Sequence, residues 1–211
     1  MALKPRKSAP ERKADIVNTM MGLAFEVGPD RVTTGMIADR LGVSQPAIYK
    51  HFASKTDIWG AVAEMIAGKI AENIAKSRTG DQAPDDQLHR LVLGHLRLVE
   101  EYPALPEIMT MRDPGGSQKT LRAKMHEVMA SFHAELVSSI RNAVGAGIFY
   151  EDLDYNDAAA LVLGTIQSLV LRALLARETK TLVQDGQRLL TLQLSGFVNI
   201  SSRFIFRAPP L

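Results

Sequence analysis

The sequence of 211 residues contains no cysteine. Disulfides and thiolate-held metals are thereby excluded, and a reducing cytoplasm is the simplest compartment. Net charge is scarce as well, since 25 basic against 23 acidic residues leave a formal +2. No uncharged apolar run approaches the ~20 residues that a membrane span needs, so no membrane association is expected. The basic opening MALKPRKSAP is not followed by an apolar stretch, and no signal peptide is expected. Strand alternation, internal repeats and a phosphate-cradling glycine loop are all missing. His126 and His133 could share a helix face, but no glutamate or histidine at the next helical turn completes a metal site. The acidic run Glu151–Asp157 lacks the glycine and ligand spacing of a calcium loop and reads as a helix start. No catalytic residue, cofactor or metal is therefore expected.

What the chain does have is apolar content and an uneven spread of charge. Hydrophobic residues make up 46%, ample for one domain or two small ones. Up to residue 60 there are nine basic and six acidic residues, and the remainder holds 16 and 17. A head of +3 on a body of −1 points to a polyanionic partner for the head alone.

Nearly every segment carries a helical signal. Ser8-Ala-Pro-Glu11 has capping-box spacing, and Ile16, Val17, Met20, Leu23, Ala24 and Val27 follow at helical period. Helix 1 is expected over 10–27. Helix 2 should start at Thr33 or Thr34 and reach Leu41, and helix 3 should start at Ser44. Ser54-Lys-Thr-Asp57 opens helix 4, extending towards Arg78. A polar loop near 79–86 precedes helix 5 (about 85–102). A short helix near 104–111 is bracketed by Pro103 and Pro106. Helices 7, 8 and 9 are expected over about 117–144, 156–177 and 181–204. The class is all-α, with about nine helices.

The segment Ile37-Ala38-Asp39-Arg40-Leu41-Gly42-Val43-Ser44-Gln45-Pro46-Ala47-Ile48-Tyr49 is the most informative. Ile37, Leu41, Val43 and Ile48 would form a small core between two crossed helices. Ala38 is small where the second helix approaches, Gly42 permits a tight turn, and Ser44 caps the next helix. Together these describe a helix-turn-helix whose second helix can enter the major groove. Over residues 10–58 the sequence resembles the TetR/AcrR family of transcription regulators. Helix 1, Thr33-Thr34, Ile37-Ala38, Gly42-Val43-Ser44, Tyr49, Phe52 and Ser54-Lys55 all sit where that family's pattern has them. Beyond this segment the match is in length and helicity only. The resemblance implies a DNA-binding domain over 1–56, and an effector-binding and dimerisation domain over 57–211. Repression of transcription is the family default.

DNA contacts sort into two kinds. Thr34, Tyr49, His51 and Lys55 are candidates for phosphate, with the arm residues Lys4, Arg6 and Lys7. Gln45, Ala47 and Lys50 are candidates for base edges, because glutamine matches adenine, lysine matches guanine and alanine meets a thymine methyl. Ser44 and Pro46 complete the interface. Phe52 is expected in the core.

Helix 8, from Ala158 to Leu175, is apolar around most of its circumference, which calls for burial on more than one side, and helix 9 adds Leu189, Leu190, Leu192, Leu194, Phe197, Ile200 and Phe204. A two-fold interface built from both would satisfy this and implies a near-palindromic double-stranded operator. Gly164, Ser168 and Gly196 would permit close helix approach. The resemblance also implies an effector pocket among helices 4 to 8. His95, Tyr102, Met109, Met111, Met125, Met129, His133 and Gln167 are its candidates, being polar or soft residues on otherwise apolar faces. The effector is unknown. The rival readings are an architectural or protein-interaction module without ligand response, and an enzyme.

Overall fold

Side chains of Ser8, Thr33, Ser54 and Asp154 cap helix starts. In the computed structural model, which describes residues 8–80, 83–110 and 119–199, the side chains of residues 109, 110, 119 and 120 fall outside the description. Helix α1 (Ala9–Val27) opens with Ser8 at its N-cap and the full reciprocal capping box with Glu11. It ends at Gly28, whose φ of 90° leads into a short 3-10 turn, Pro29–Arg31. Then follow α2 (Thr34–Leu41), α3 (Gln45–Tyr49), α4 (Lys55–Ser77), α5 (Pro84–Glu101), α6 (Leu105–Thr110), α7 (Lys119–Gly145), α8 (Tyr155–Ala176) and α9 (Leu182–Ser195). No strand occurs among the described residues, so the chain is all-α as expected.

The described part of α9 is shorter than the predicted 181–204, ending at Ser195. The cause is distant in sequence. Beyond Gly196 the backbone pairs with the turn after α7: Tyr150 N–H donates to the Phe197 carbonyl at 3.0 Å, and Asn199 N–H to the Ile148 carbonyl at 3.0 Å. A single antiparallel bridge joins Phe149 and Val198, and the two phenyl rings of Phe149 and Phe197 meet edge to face at 5.8 Å. Residues 200–204 lie outside the described residues.

The chain gathers into two compact units. One comprises Met1–Gly68 with Tyr102–Glu127, the other Lys69–Glu101 with Val128–Leu211. In the first, α1 packs on α2 and on α6, and α2 on α3. Ile16, Met20, Ile37, Ile48, Ile58 and Trp59 are almost fully enclosed there. In the second, α5 packs against α9 and α8, and α8 against α9. Leu88, Leu91, Leu96 and Phe132 are enclosed in this unit. Two glycines allow its tightest approaches. A Cβ on Gly94 of α5 would fall 1.8 Å from Asn73 Oδ1 of α4, and one on Gly186 of α9 would fall 2.1 Å from Leu96 Cδ1. Asn73 is buried, and its Nδ2 donates to the Leu91 carbonyl at 2.9 Å. The end of α4 is tied to α7 where Arg78 meets the buried Glu135, with Nε donating to Oε1 at 2.7 Å. Gly164 and Ser168, expected at close helix approaches, are exposed within this single chain, and Gly196 is exposed beside its own helix end.

One described helix, α8, is long and apolar enough to cross a membrane by length and composition, with a third of its apolar window buried. The expectation that no stretch approaches this threshold counted unbroken uncharged residues, and Arg172 interrupts that run.

Candidate nucleic-acid interface

The helix-turn-helix is built from local signals. Thr33 caps α2, its hydroxyl accepting from Met36 N–H at 3.2 Å. Gly42 closes the helix in the left-handed region (φ 65°, ψ 36°), a conformation that costs glycine nothing. Val43 N–H returns to the Ala38 carbonyl at 3.0 Å and so fixes the turn. Ile37, Ala38 and Ile48 are buried, while Leu41 and Val43 are half-buried. Phe52 is buried, with the Lys13 ammonium 5.5 Å above its ring.

Ser44 takes the N-cap place of α3 with extended backbone, but its side chain caps nothing. The expected capping bond has no donor available. Pro46 has no N–H, and the Ala47 N–H is already given to the Ser44 carbonyl at 2.8 Å. The helix is also short, so Lys50 and His51 lie beyond its last residue, Tyr49. Ser54 does cap α4, accepting from Asp57 N–H at 3.1 Å.

Among the sequence candidates, Ser44, Gln45, Pro46, Tyr49 and Lys50 are exposed, and Ala47, His51 and Lys55 are half-buried. Burial pulls the Lys55 ammonium below its ordinary pKa, against the opposing pull of the Asp30 carboxylate. Thr34 differs from the rest. It is only 6% exposed, and its hydroxyl is held between Gln45 Nε2 at 2.8 Å and Tyr49 Oη at 3.2 Å. Its side chain therefore meets its neighbours rather than standing free towards solvent. The arm residues Lys4, Arg6 and Lys7 lie outside the described residues.

One clamp escaped the sequence reading. Arg40 of α2 reaches Glu26 of α1 with two bonds, at 2.8 and 2.6 Å. This hydrogen bonding holds Glu26 below the usual carboxylate range and raises Arg40. Nothing in the local pattern marks a pair fourteen residues apart.

The effector candidates are dispersed. His95 of α5 is buried and stacks on Phe132 of α7 with ring centroids 4.5 Å apart. Its Nδ1 is buried without a hydrogen-bond partner, and burial pushes its pKa down to about 4. Met129 and His133, half-buried on α7, belong to the same unit. Tyr102, half-buried, and Met125, buried, belong to the other. Gln167 is exposed on α8. The Met109 side chain and all of Met111 lie outside the described residues. None of these residues lines the cleft of about 300 Å³ between α4 and α5, whose walls include Lys69, Lys76, Arg90 and Arg97. None lines the open groove along α8 and α9, walled by Leu161, Gly164, Ser168 and Leu192.

Comparison with known proteins agrees with this architecture. Residues 16–62 match the family model described as bacterial regulatory proteins, tetR family, and residues 64–196 match the YsiA-like protein C-terminal region. The nucleoid occlusion factor SlmA of Actinobacillus pleuropneumoniae serotype 5b (strain L20) is 29% identical over 107 residues, covering 50% of this chain and 53% of that protein. SlmA of Enterobacter sp. (strain 638) is 27% identical over 141 residues, covering 67% and 71%. The chain thus spans about half the length of the first of these curated relatives. A transcriptional regulator from Saccharomonospora viridis in complex with choline superposes with a TM-score of 0.75 at 22% identity, covering 90% and 99% of the two chains. The ketosteroid transcriptional regulator KstR2 of Mycobacterium tuberculosis gives 0.73 at 18%, covering 89% and 95%. With a helix-turn-helix of this geometry, a helical body behind it and both family models matched in order, the chain belongs to the TetR family of bacterial regulatory proteins.

Proposed function

We propose that the chain is a cytoplasmic, DNA-binding transcription regulator that works as a homodimer. In this reading it represses from a near-palindromic operator and is released by a small molecule. Residues 1–56 serve as the DNA-binding domain and 57–211 as the effector and dimerisation domain. The observation that carries the reading is the polar edge of α3. Gln45 and Tyr49 of this helix, and Lys50 just past its end, stand exposed while Ile48 is buried. A short helix anchored by one isoleucine and presenting an amide and a phenol, with an ammonium just past its end, is suited to a major groove. Phosphate contacts from Tyr49, His51 and Lys55 would set its register.

Support for ligand response is chemical. His95 carries a buried, unpartnered ring nitrogen in the helical body, and unsatisfied buried polar atoms are uncommon unless a partner arrives. Helix α4 contributes residues to both compact units, so a ligand that favours one setting of this helix would bias the DNA-reading head.

Selection from a pool of randomised duplexes, followed by titration in increasing salt, tests the proposal. The expected product is a two-fold symmetric site bound at least a thousandfold more tightly than a scrambled duplex. Equal affinity for both duplexes would instead favour the architectural reading.

A further inference from the structure

We propose that Thr34 is a positioning residue that couples a phosphate contact by Tyr49 to base selection by Gln45. The inference rests on the DNA-binding reading of α3 and goes beyond it. It concerns hydrogens rather than positions. A hydroxyl has one hydrogen to give and two lone pairs to receive. Thr34 Oγ1 lies 2.8 Å from Gln45 Nε2 and 3.2 Å from Tyr49 Oη, and the residue is 6% exposed. Enclosed in this way, the hydroxyl satisfies its bonding through those two neighbours.

In the free protein this arrangement has alternatives. Tyr49 can donate to Thr34, leaving the Thr34 hydrogen for a Gln45 carbonyl if the amide is reversed. Tyr49 can equally receive from Thr34, and Thr34 then receives from Gln45. A phosphodiester removes the choice, because its oxygens only accept. A Tyr49 hydroxyl on phosphate must give its single hydrogen to that phosphate. Its oxygen is then open only as an acceptor, and Thr34 supplies the hydrogen. Having spent that hydrogen, Thr34 can only receive from Gln45, so the Gln45 amino group must point inward.

The consequence falls on the bases. With one N–H turned to Thr34, Gln45 presents Oε1 and its second N–H outward. That acceptor–donor pair matches adenine, which offers N6–H₂ and N7 in the major groove. The reversed amide would turn its carbonyl to Thr34 and lead outward with its amino group, whose two N–H donors match guanine N7 and O6. Backbone docking at Tyr49 thereby selects the amide orientation that reads adenine and disfavours guanine. Exposure agrees with this division of labour. Gln45 is exposed and Tyr49 is 46% exposed, so both reach solvent, while the residue linking them is enclosed.

The test starts from the duplex that wild-type protein selects out of a randomised pool. Gln45→Ala identifies the base pair that this residue reads, as the position whose preference disappears. Duplexes carrying adenine or guanine there are then titrated with wild type, Thr34→Val, Thr34→Ser and Tyr49→Phe, each checked for an unchanged melting temperature. Wild type is expected to prefer adenine about tenfold or more, a typical value for one good bidentate contact. Thr34→Val and Tyr49→Phe should bring that ratio within about threefold, and Thr34→Ser should restore it. A merely structural Thr34 would weaken both duplexes equally and leave the ratio intact, which overturns the coupling. A Gln45 position that selects guanine in the wild type also overturns it. A wild type that selects no sequence at all defeats the regulator reading itself.

Discussion

A single imidazole shows how much one residue can impose on the body of the protein. His95 is 8% exposed, packed on Phe132, with a ring nitrogen that no group satisfies. Desolvation penalises its charged form and lowers its pKa from 6.5 to about 4. The unfolded chain therefore binds a proton between those two values that the folded chain refuses. The neutral histidine contributes its full share of stability above pH 6.5, and that share is lost as pH falls through 4. The difference amounts to roughly 2–4 kcal/mol. Urea midpoints measured from pH 7.5 down to 4 should fall steeply for wild type and more gently for His95→Leu. The acid slope common to both reports other groups, so the difference between the slopes is the quantity of interest, and equal slopes would refute the assignment. At this scale the sequence identified kinds of residue but not their bonds. His95 stood out as polar on an apolar face, and Gln45 and Lys50 as groups that reach solvent. That Thr34 would be enclosed by two of its supposed fellow contacts, or that Arg40 would be spent on Glu26, depends on helices crossing in space.

Helix boundaries follow the same division between near and far causes. Caps are local chemistry and were readable: Ser8 with Glu11, Thr33, Ser54, and Asp154, which accepts from both Asn156 and Asp157 N–H at 2.9 Å. The Ser44 cap failed for an equally local reason, the missing N–H of Pro46. The end of α9 was not readable, because residues 148–150 decide it from the other side of two helices. Close helix approaches were misplaced for the same cause. Gly164 and Ser168 on the apolar α8 looked suited to them, yet the tight crossings are at Gly94 on α5 and Gly186 on α9. Alanine at Gly186 gains up to ~1 kcal/mol of helix preference. Its Cβ would also fall 2.1 Å from Leu96 Cδ1, and Leu96 is fully enclosed. Such overpacking costs about 1–3 kcal/mol, so the net effect of Gly186→Ala is a loss. Chemical denaturation should show a lower midpoint for this variant, and adding Leu96→Val should recover part of the loss, since it shortens the side chain that collides. A midpoint at or above wild type would mean that Leu96 yields freely.

At the scale of the whole molecule, α8 and α9 carry an apolar face that the single chain leaves open to solvent. Leu161, Leu171, Leu175 and Leu192 are 57%, 56%, 79% and 69% exposed, which leaves an apolar strip on a helix pair already packed on its other side. The sequence showed that α8 is apolar around most of its circumference, and that much survives. It did not show that residues 102–127 would group with the DNA-reading head, because that grouping arises from packing between distant segments. In the proposed homodimer, a second copy of the chain would occupy the strip. Thr165 already donates to Gln193 at 2.9 Å across α8 and α9, so the two helices present one continuous face. The groove between Leu161 and Leu192 offers it a place for a partner's side chains. A stable dimer buries about 800 Å² per partner around an apolar centre, and carboxylates at that centre would be stranded without partners. Leu161→Glu together with Leu192→Glu should therefore sediment as a monomer while retaining wild-type helicity. Both positions face solvent in the single chain, so its own core is untouched. Affinity for a two-half-site duplex should fall at least a hundredfold, roughly the contribution of the second head at its effective concentration, while binding to one half-site should not change. A doubly charged variant that remains a dimer would place the interface elsewhere. Wild type that stays soluble only with detergent would give the strip to lipid instead.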